Sequence, residues 1–244
     1  MQRYFVENQL TVGTAFALDA TVSKHWLQVL RAEPGAQAEF VDATEHVFLG
    51  ELLADERVQV IEELAVNVEL PVHVTILSGL PKQDKAEWIV QKATEMGAFD
   101  IAFFGADWSV AKWQPNKVAK KLARLQKIAQ GASEQSHRTH VPTVRFFNTL
   151  KQAVAEVETD HLVVAYEEAA KQGEQANLVQ LMNRTQPGDR LTAVFGPEGG
   201  ISPAEMTLLT ERSATVAGLG PRILRTETAP LYFLAAVSTL LELS

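Results

Sequence analysis

From Val72 onward the chain alternates between short apolar runs and helical periodicities, and that alternation leaves few folds open. Val72 to Leu77 is an apolar run of the kind expected for a strand covered on both faces. Ala86, Ile89, Val90, Ala93 and Met96 then recur at helical spacing, predicting a helix from about Lys82 to Met96 with Gly97 as its stop. Ile101 to Phe104 reads as the next strand. Pro115 sits where a helix would begin, with Val118, Leu122, Leu125, Ala129 and Ala132 on one side. The pattern continues as helix Leu150 to Val157, strand Leu162 to Tyr166, helix Ala176 to Met182 and strand Leu191 to Phe195. Ser202-Pro203-Ala204-Glu205 has the form of a capping box. A short strand near Ala214 to Ala217 follows, then a strongly apolar helix from about Pro230. Such a series predicts an α/β domain, residues 72–244, with a mainly parallel sheet covered by helices. Its last helix either lies under its own sheet or forms half of a dimer interface, and the second is favoured.

Residues 1–71 read differently. Tyr4 to Val6, Ala36 to Val41, His46 to Leu53 and Val58 to Glu63 are short strand candidates, bounded by Gly13, Pro34-Gly35 and the Asp42 to Glu45 turn. One helix interrupts them, Thr21 to Leu30, with Val22, Trp26, Leu27, Val29 and Leu30 as its apolar side. Short strands, tight turns and a single helix predict a small barrel.

The absence of cysteine excludes a disulfide framework, a thiolate metal site and a cysteine nucleophile. The six histidines show no paired helical spacing, so no metal is expected. No secretory leader is visible after Met1, and no apolar run is long enough to span a bilayer, so a soluble cytoplasmic protein without membrane attachment is expected. Net charge is −8, carried entirely by residues 1–71, which hold 4 Lys/Arg against 12 Asp/Glu. Ser109 to Lys151 is the opposite, with 9 Lys/Arg and one acid. Lys117, Lys120, Lys121, Arg124 and Lys127 share one predicted helix there, which makes the positive charge a coherent surface.

Two glycine- and proline-rich turns follow late strands: Gly196-Pro197-Glu198-Gly199-Gly200 and Leu219 to Ala229. A phosphate-cradling Gly-x-x-x-x-Gly-Lys-Ser/Thr loop is absent. Gly218 and Gly220 begin a dinucleotide fingerprint, but Ile223 stands where the third glycine belongs. Ligands of open parallel sheets bind beyond the carboxyl ends of strands, where both turns should lie. Backbone groups there can read the edge of an adenine, with Leu219, Ile223 and Leu224 as an apolar wall.

Gly196-Pro197-Glu198-Gly199-Gly200, followed by Leu219-Gly220-Pro221-Arg222-Ile223-Leu224-Arg225-Thr226-Glu227-Thr228-Ala229, resembles the RsmE-type methyltransferases of the SPOUT superfamily. Arg3-Tyr4-Phe5-Val6, the stretch from His25 to Arg31, and Glu134 to Arg138 with Val141-Pro142 are similar to that family's opening, first helix and central loop. Ile201, Gln28 and Trp108 depart from it, standing where Phe, a basic residue and Arg are usual.

The resemblance implies a PUA-like N-terminal barrel and a C-terminal domain with a deep trefoil knot. It implies S-adenosylmethionine as cofactor, a homodimer, and methylation of N3 of a uridine in 16S ribosomal RNA on the assembled small subunit. Gly196, Pro197, Glu198, Gly199, Gly200, Leu219, Gly220, Ile223, Leu224, Thr228 and Ala229 are then the expected cofactor contacts. Arg225 is the expected stabiliser of negative charge on the uracil oxygens, with Glu227 or Glu198 accepting the proton, orienting Arg225, or simply bracing the loops. Arg3, Lys24, Arg31, Lys117, Lys120, Lys121, Arg124, Lys127 and Arg138 are the expected phosphate contacts. A non-catalytic RNA-binding or ribosome-assembly module with a nucleotide-like ligand remains the alternative.

Overall fold

The computed structural model describes residues 1–168 and 176–243. The chain divides into two compact units: Met1–Glu69 with Ser133–His140, and Leu70–Ala132 with Val141–Ser244.

The first unit is built on five strands: β1 (Arg3–Phe5), β2 (Ala15–Ala17), β3 (Gln37–Val41), β4 (Val47–Leu52) and β5 (Arg57–Leu64). Their order is β1-β3-β4-β5-β2, with β1 parallel to β3 and every other pair antiparallel. Tyr4, Val22, Trp26, Phe40 and Val58 are buried at its centre. The short edge strand β2 was not expected; three residues beside Gly13 carry too little alternation to register.

The helix expected over Thr21 to Leu30 is corrected. It is a single α-turn, α1 (Ala20–Ser23), capped by the Asp19 carboxylate, which then widens into a π-helical segment over Lys24–Val29. The Leu30 N–H donates to the carbonyl five residues back, on His25, at 2.9 Å. The wider turn delivers Trp26 to the core and leaves Val29 and Leu30 exposed, so neither joins the apolar side.

Carboxylates of the first unit fasten the returning segment Ser133–His140. Glu69 accepts the backbone N–H groups of Thr139 (2.9 Å) and His140 (3.2 Å) and pairs with the Arg138 guanidinium. Glu39 pairs with Arg3 at 2.8 Å and lies 3.2 Å from His137 Nδ1, while Arg3 also donates to the His137 carbonyl. Burial by itself would raise the Glu69 carboxyl, but Arg138 and the two N–H donors outweigh it and hold the group below its ordinary value. Part of the acidic excess of residues 1–71 is therefore internal.

The second unit holds a six-stranded, all-parallel sheet: β6 (His73–Gly79), β7 (Asp100–Phe104), β8 (Thr143–Phe147), β9 (His161–Ala165), β10 (Arg190–Phe195) and β11 (Thr215–Ala217), in the order β11-β9-β10-β6-β7-β8. Its helices are α2 (Lys85–Glu95), α3 (Pro115–Gln135), α4 (Leu150–Glu156), α5 (Asn177–Arg184), α6 (Pro203–Glu211) and α7 (Ala229–Leu241); the last residues of α3 group with the first unit. Both faces of the sheet are buried, one around Ile76, Phe103 and Phe195, the other around Leu77, Phe104 and Val194. That is why its strands read as apolar runs rather than alternations.

The edge strand β8 escaped prediction, since it follows Pro142 and its Arg145 and Phe146 are only half-buried. Helix α2 begins three residues later than expected, because Gln83 takes a positive φ of 57° and keeps Lys82 to Asp84 out of the helix. In α7, Phe233, Leu234 and Val237 are buried, and the helix packs against α2, α5 and β10. No helix among the described residues is long and apolar enough to cross a membrane.

Candidate active site

Strands β9, β10 and β11 are neighbours, so the segments leaving their carboxyl ends converge. They enclose a cavity of about 600 Å³. Gly196 to Ile201 form one wall, Leu219-Gly220 with Arg222 to Thr226 and Ala229 a second, and Ala165 to Glu168 a third. Lys85 and Trp108 complete it.

Glycine is required at Gly199, where an added Cβ would lie 2.7 Å from the Trp108 carbonyl oxygen. Gly200 and Gly220 both take positive φ, 82° and 84°. A Cβ at Gly200 would meet nothing within 4 Å, and one at Gly220 only the Tyr232 hydroxyl at 3.8 Å, so both face open space. The first turn is anchored from behind by the expected capping box: the Ser202 hydroxyl accepts the Glu205 N–H at 3.1 Å, and Glu205 accepts the Ser202 N–H at 2.9 Å. The Ser202 hydroxyl also donates to Asp107 at 2.5 Å, and Glu205 accepts the Asp107 N–H at 3.1 Å.

The charge of the site centres on Lys85, which sequence reasoning did not single out. Its ammonium donates to Glu198 at 2.9 Å and lies 3.0 Å from Glu227 Oε2. The second approach has the distance of an ion pair but not the alignment of a hydrogen bond. Oε2 is thus buried without a hydrogen-bond partner among the described residues. Glu198 and Glu227 raise the Lys85 ammonium above its ordinary value. Burial pushes both carboxyls up, but Lys85 and nearby backbone donors outweigh it, so both lie below the ordinary glutamate value. Arg225 adds its charge to the effect at Glu227. Both carboxylates are ionised at neutral pH and are correspondingly weak bases. Lys85 was legible only as a residue in the first turn of the helix expected after β6, a strand whose place beside β10 no local pattern reveals.

Of the expected cofactor contacts, all line the cavity except Thr228. Thr228 immediately precedes α7 instead, its N–H donating to the Arg225 carbonyl at 2.8 Å. Ile223 is 73% exposed, a rim residue more than a wall. Arg225 is exposed and lines the cavity; Glu198 lines it too, whereas Glu227 stands behind Lys85. Trp108, Tyr166, Arg222 and Thr226 were not anticipated as lining residues, and only Arg222 and Thr226 sat inside a motif that had drawn notice.

The expected phosphate contacts separate into two groups. Lys117, Lys120, Lys121, Arg124 and Lys127 are exposed on α3 at helical spacings of three and four, one continuous stripe. Arg124 pairs with Glu87 at 2.8 Å, and the Lys121 ammonium lies 5.4 Å from the Trp113 ring centre. Lys24 and Arg31 are exposed as well. Arg3 and Arg138 are corrected: they are 4% and 3% exposed, with their guanidinium groups committed to Glu39 and Glu69. In this structure both guanidinium groups fasten Ser133–His140 and neither faces solvent.

Comparison with known proteins places this geometry. A family described as RNA methyltransferase domain matches residues 68–238. The chain is 43% identical to the ribosomal RNA small subunit methyltransferase E of Bacillus subtilis, over all of this chain and 98% of that one. The solved ribosomal RNA small subunit methyltransferase E of Neisseria gonorrhoeae, bound to S-adenosyl methionine, is 28% identical with a TM-score of 0.81 over 98% of each chain. A methyltransferase structure from Legionella pneumophila, in complex with the same cofactor, is 25% identical with a TM-score of 0.81 over 97% of this chain and 96% of that one.

Proposed function

This chain belongs to the RNA methyltransferase domain family, among its ribosomal RNA small subunit methyltransferase E members, and we propose that it methylates N3 of a uridine in small-subunit ribosomal RNA, on the assembled subunit. It is an S-adenosylmethionine-dependent ribosomal RNA methyltransferase. The observation that carries this is the cavity in which both glycine-rich turns meet beyond β9, β10 and β11. The residues present fit the cofactor: Gly200 and Gly220 leave the space a side chain would fill, and Leu219 and Leu224 supply apolar wall.

When bound, S-adenosylmethionine supplies an electrophilic methyl group on a sulfonium centre. The uracil N3–H must first give up its proton to a base or to solvent. The resulting anion spreads its charge onto the flanking carbonyl oxygens and is neutralised as N3 takes the methyl group. Arg225, exposed on the cavity wall and always protonated, offers a planar fork of donors to those oxygens. Glu198 and Glu227, held below the ordinary glutamate value chiefly by Lys85 and backbone donors, are ionised and weakened as proton acceptors. Their part is to hold Lys85 and, in the case of Glu227, to bias Arg225. The α3 stripe, with Lys24 and Arg31, meets phosphates.

Three structural expectations belong to the same proposal. The first unit is a PUA-like RNA-binding barrel, supported by its five-stranded sheet around an aromatic core. The second unit carries a trefoil knot as well as the cofactor site. In support, the chain leaves β10 on one side of β9 and returns as β11 on the other. An experimental density map tracing 196–226 without threading would overturn the knot. The protein works in the cytoplasm as a homodimer, supported by the partly exposed Leu231, Tyr232, Ala236 and Leu240 on α7. Sedimentation as a monomer at micromolar concentration removes the dimer.

Calorimetry with S-adenosylmethionine, followed by mass spectrometry of the RNA from unmethylated small subunits, tests the activity. The expected result is cofactor binding and one methyl gained on a uridine. Binding without a mass gain returns the protein to the class of non-catalytic modules.

A further inference from the structure

We propose that Trp108 is the surface on which the target nucleobase stacks once it has been swung out of the RNA. This deepens, and rests on, the methyltransferase function above. Trp108 lines the cavity together with Arg222 and Arg225, yet it is 49% exposed. A half-exposed indole on a loose loop would be unremarkable, but this loop is not loose. Asp107 is held from both ends, its N–H by Glu205 and its carboxylate by the Ser202 hydroxyl. On the other side Ser109 is buried, and its hydroxyl donates to the Leu80 carbonyl at 3.3 Å. Beneath, Gly199 has no side chain because the Trp108 backbone and Cβ occupy that space.

Four contacts therefore fix the backbone that carries this large apolar ring at the cavity mouth, where water is its poorest neighbour. Bases that enzymes modify are read outside the helical stack, between aromatic or guanidinium planes and hydrogen-bond donors. The rim provides both: an indole for the π-face, and the donors of Arg222 and Arg225 for carbonyl oxygens and the backbone phosphate. The occupant that matches an aromatic ring beside two cations is a planar, oxygen-bearing base on an anionic strand. The cofactor offers a single carboxylate against a sulfonium and an ammonium, so it matches two arginines less well than an anionic strand does.

The test compares W108A and W108F with the wild-type protein, using unmethylated small subunits as methyl acceptor and calorimetry for S-adenosylmethionine. W108A is expected to lower kcat/KM for the subunits on the order of ten-fold, the loss of one base–aromatic stack. Its cofactor affinity should stay within about two-fold of wild type, and W108F should recover most of the loss by keeping a ring. Unchanged kcat/KM in W108A overturns the inference. So does a loss of cofactor affinity in W108A, which would make the indole part of the cofactor wall. If the wild-type protein itself transfers no methyl group, it is the underlying function that has failed.

Discussion

Two charged clusters in this protein each set carboxylate charge against one cation and differ in what they leave open. In the first unit, Arg138 and Glu69 form a pair whose guanidinium is 4% exposed and whose carboxylate accepts two backbone N–H groups besides. In the second unit, Lys85 stands between Glu198 and Glu227 with a quarter of its side chain exposed, facing a cavity. One carboxylate oxygen of that cluster, Glu227 Oε2, is buried without a hydrogen-bond partner among the described residues. Both clusters hold carboxyls below their ordinary value by outweighing burial with a cation and donors. The satisfied cluster fastens a segment of chain. The incompletely satisfied one borders the place where a ligand enters, as expected when polar geometry is arranged for something besides folding.

The sharpest break between them is predicted for Arg138→Met. It strands the Glu69 carboxylate, half-buried, without its cation and should cost on the order of 3 kcal/mol in urea unfolding. A loss within about 0.5 kcal/mol, the range of ordinary surface changes, would show that the pair does not fasten the segment. Arg225→Ala should do the reverse: turnover falls about 100-fold, as for removal of a donor to a developing oxyanion. Cofactor affinity and melting temperature should hardly move. Turnover surviving within a few-fold would remove Arg225 from the chemistry.

Lys85→Met is expected to be milder in rate, about ten-fold, because its effect reaches the substrate through Glu198, Glu227 and Arg225. Lys85→Arg should restore part of it. The diagnostic is the pH–rate profile, since without Lys85 the two carboxyls lose a cause of their lowering and titrate at higher pH. A ten-fold loss with an unshifted profile would make Lys85 a packing residue only. The smallest effect is the acid limb of stability. Glu69 has a lowered folded-state value, so its contribution is fully present above the unfolded value near 4.5 and is lost as pH falls through the folded value below it. Glu69→Gln should flatten the acid limb of unfolding free energy against pH, and an unaltered slope would deny the linkage.

What was legible in the sequence was local. The runs of β6, β7 and β10 announced a doubly covered sheet because burial on both faces removes polar positions from a strand. Ser202 to Glu205 announced a helix start because capping is a contact over three residues. The 196–200 and 219–229 motifs carried the site and the family because they depend on backbone conformations only certain residues allow. Misreadings occurred where a signal was short or shared: the three-residue β2, the edge strand β8, and the π-helical widening that turned Val29 and Leu30 outward.

Only the tertiary structure decided which charges face solvent and which face each other. Arg3 and Arg138 looked as available as Lys117 or Lys120, yet Glu39 and Glu69 claim them from positions 36 and 69 residues away. Lys85 meets Glu198 from 113 residues away, because β6 lies beside β10 and their carboxyl ends open on the same side. Strand order sets those meetings. A chain written in one dimension carries propensity, periodicity and turn chemistry, but a pairing across a hundred residues exists only after the sheet has closed the distance.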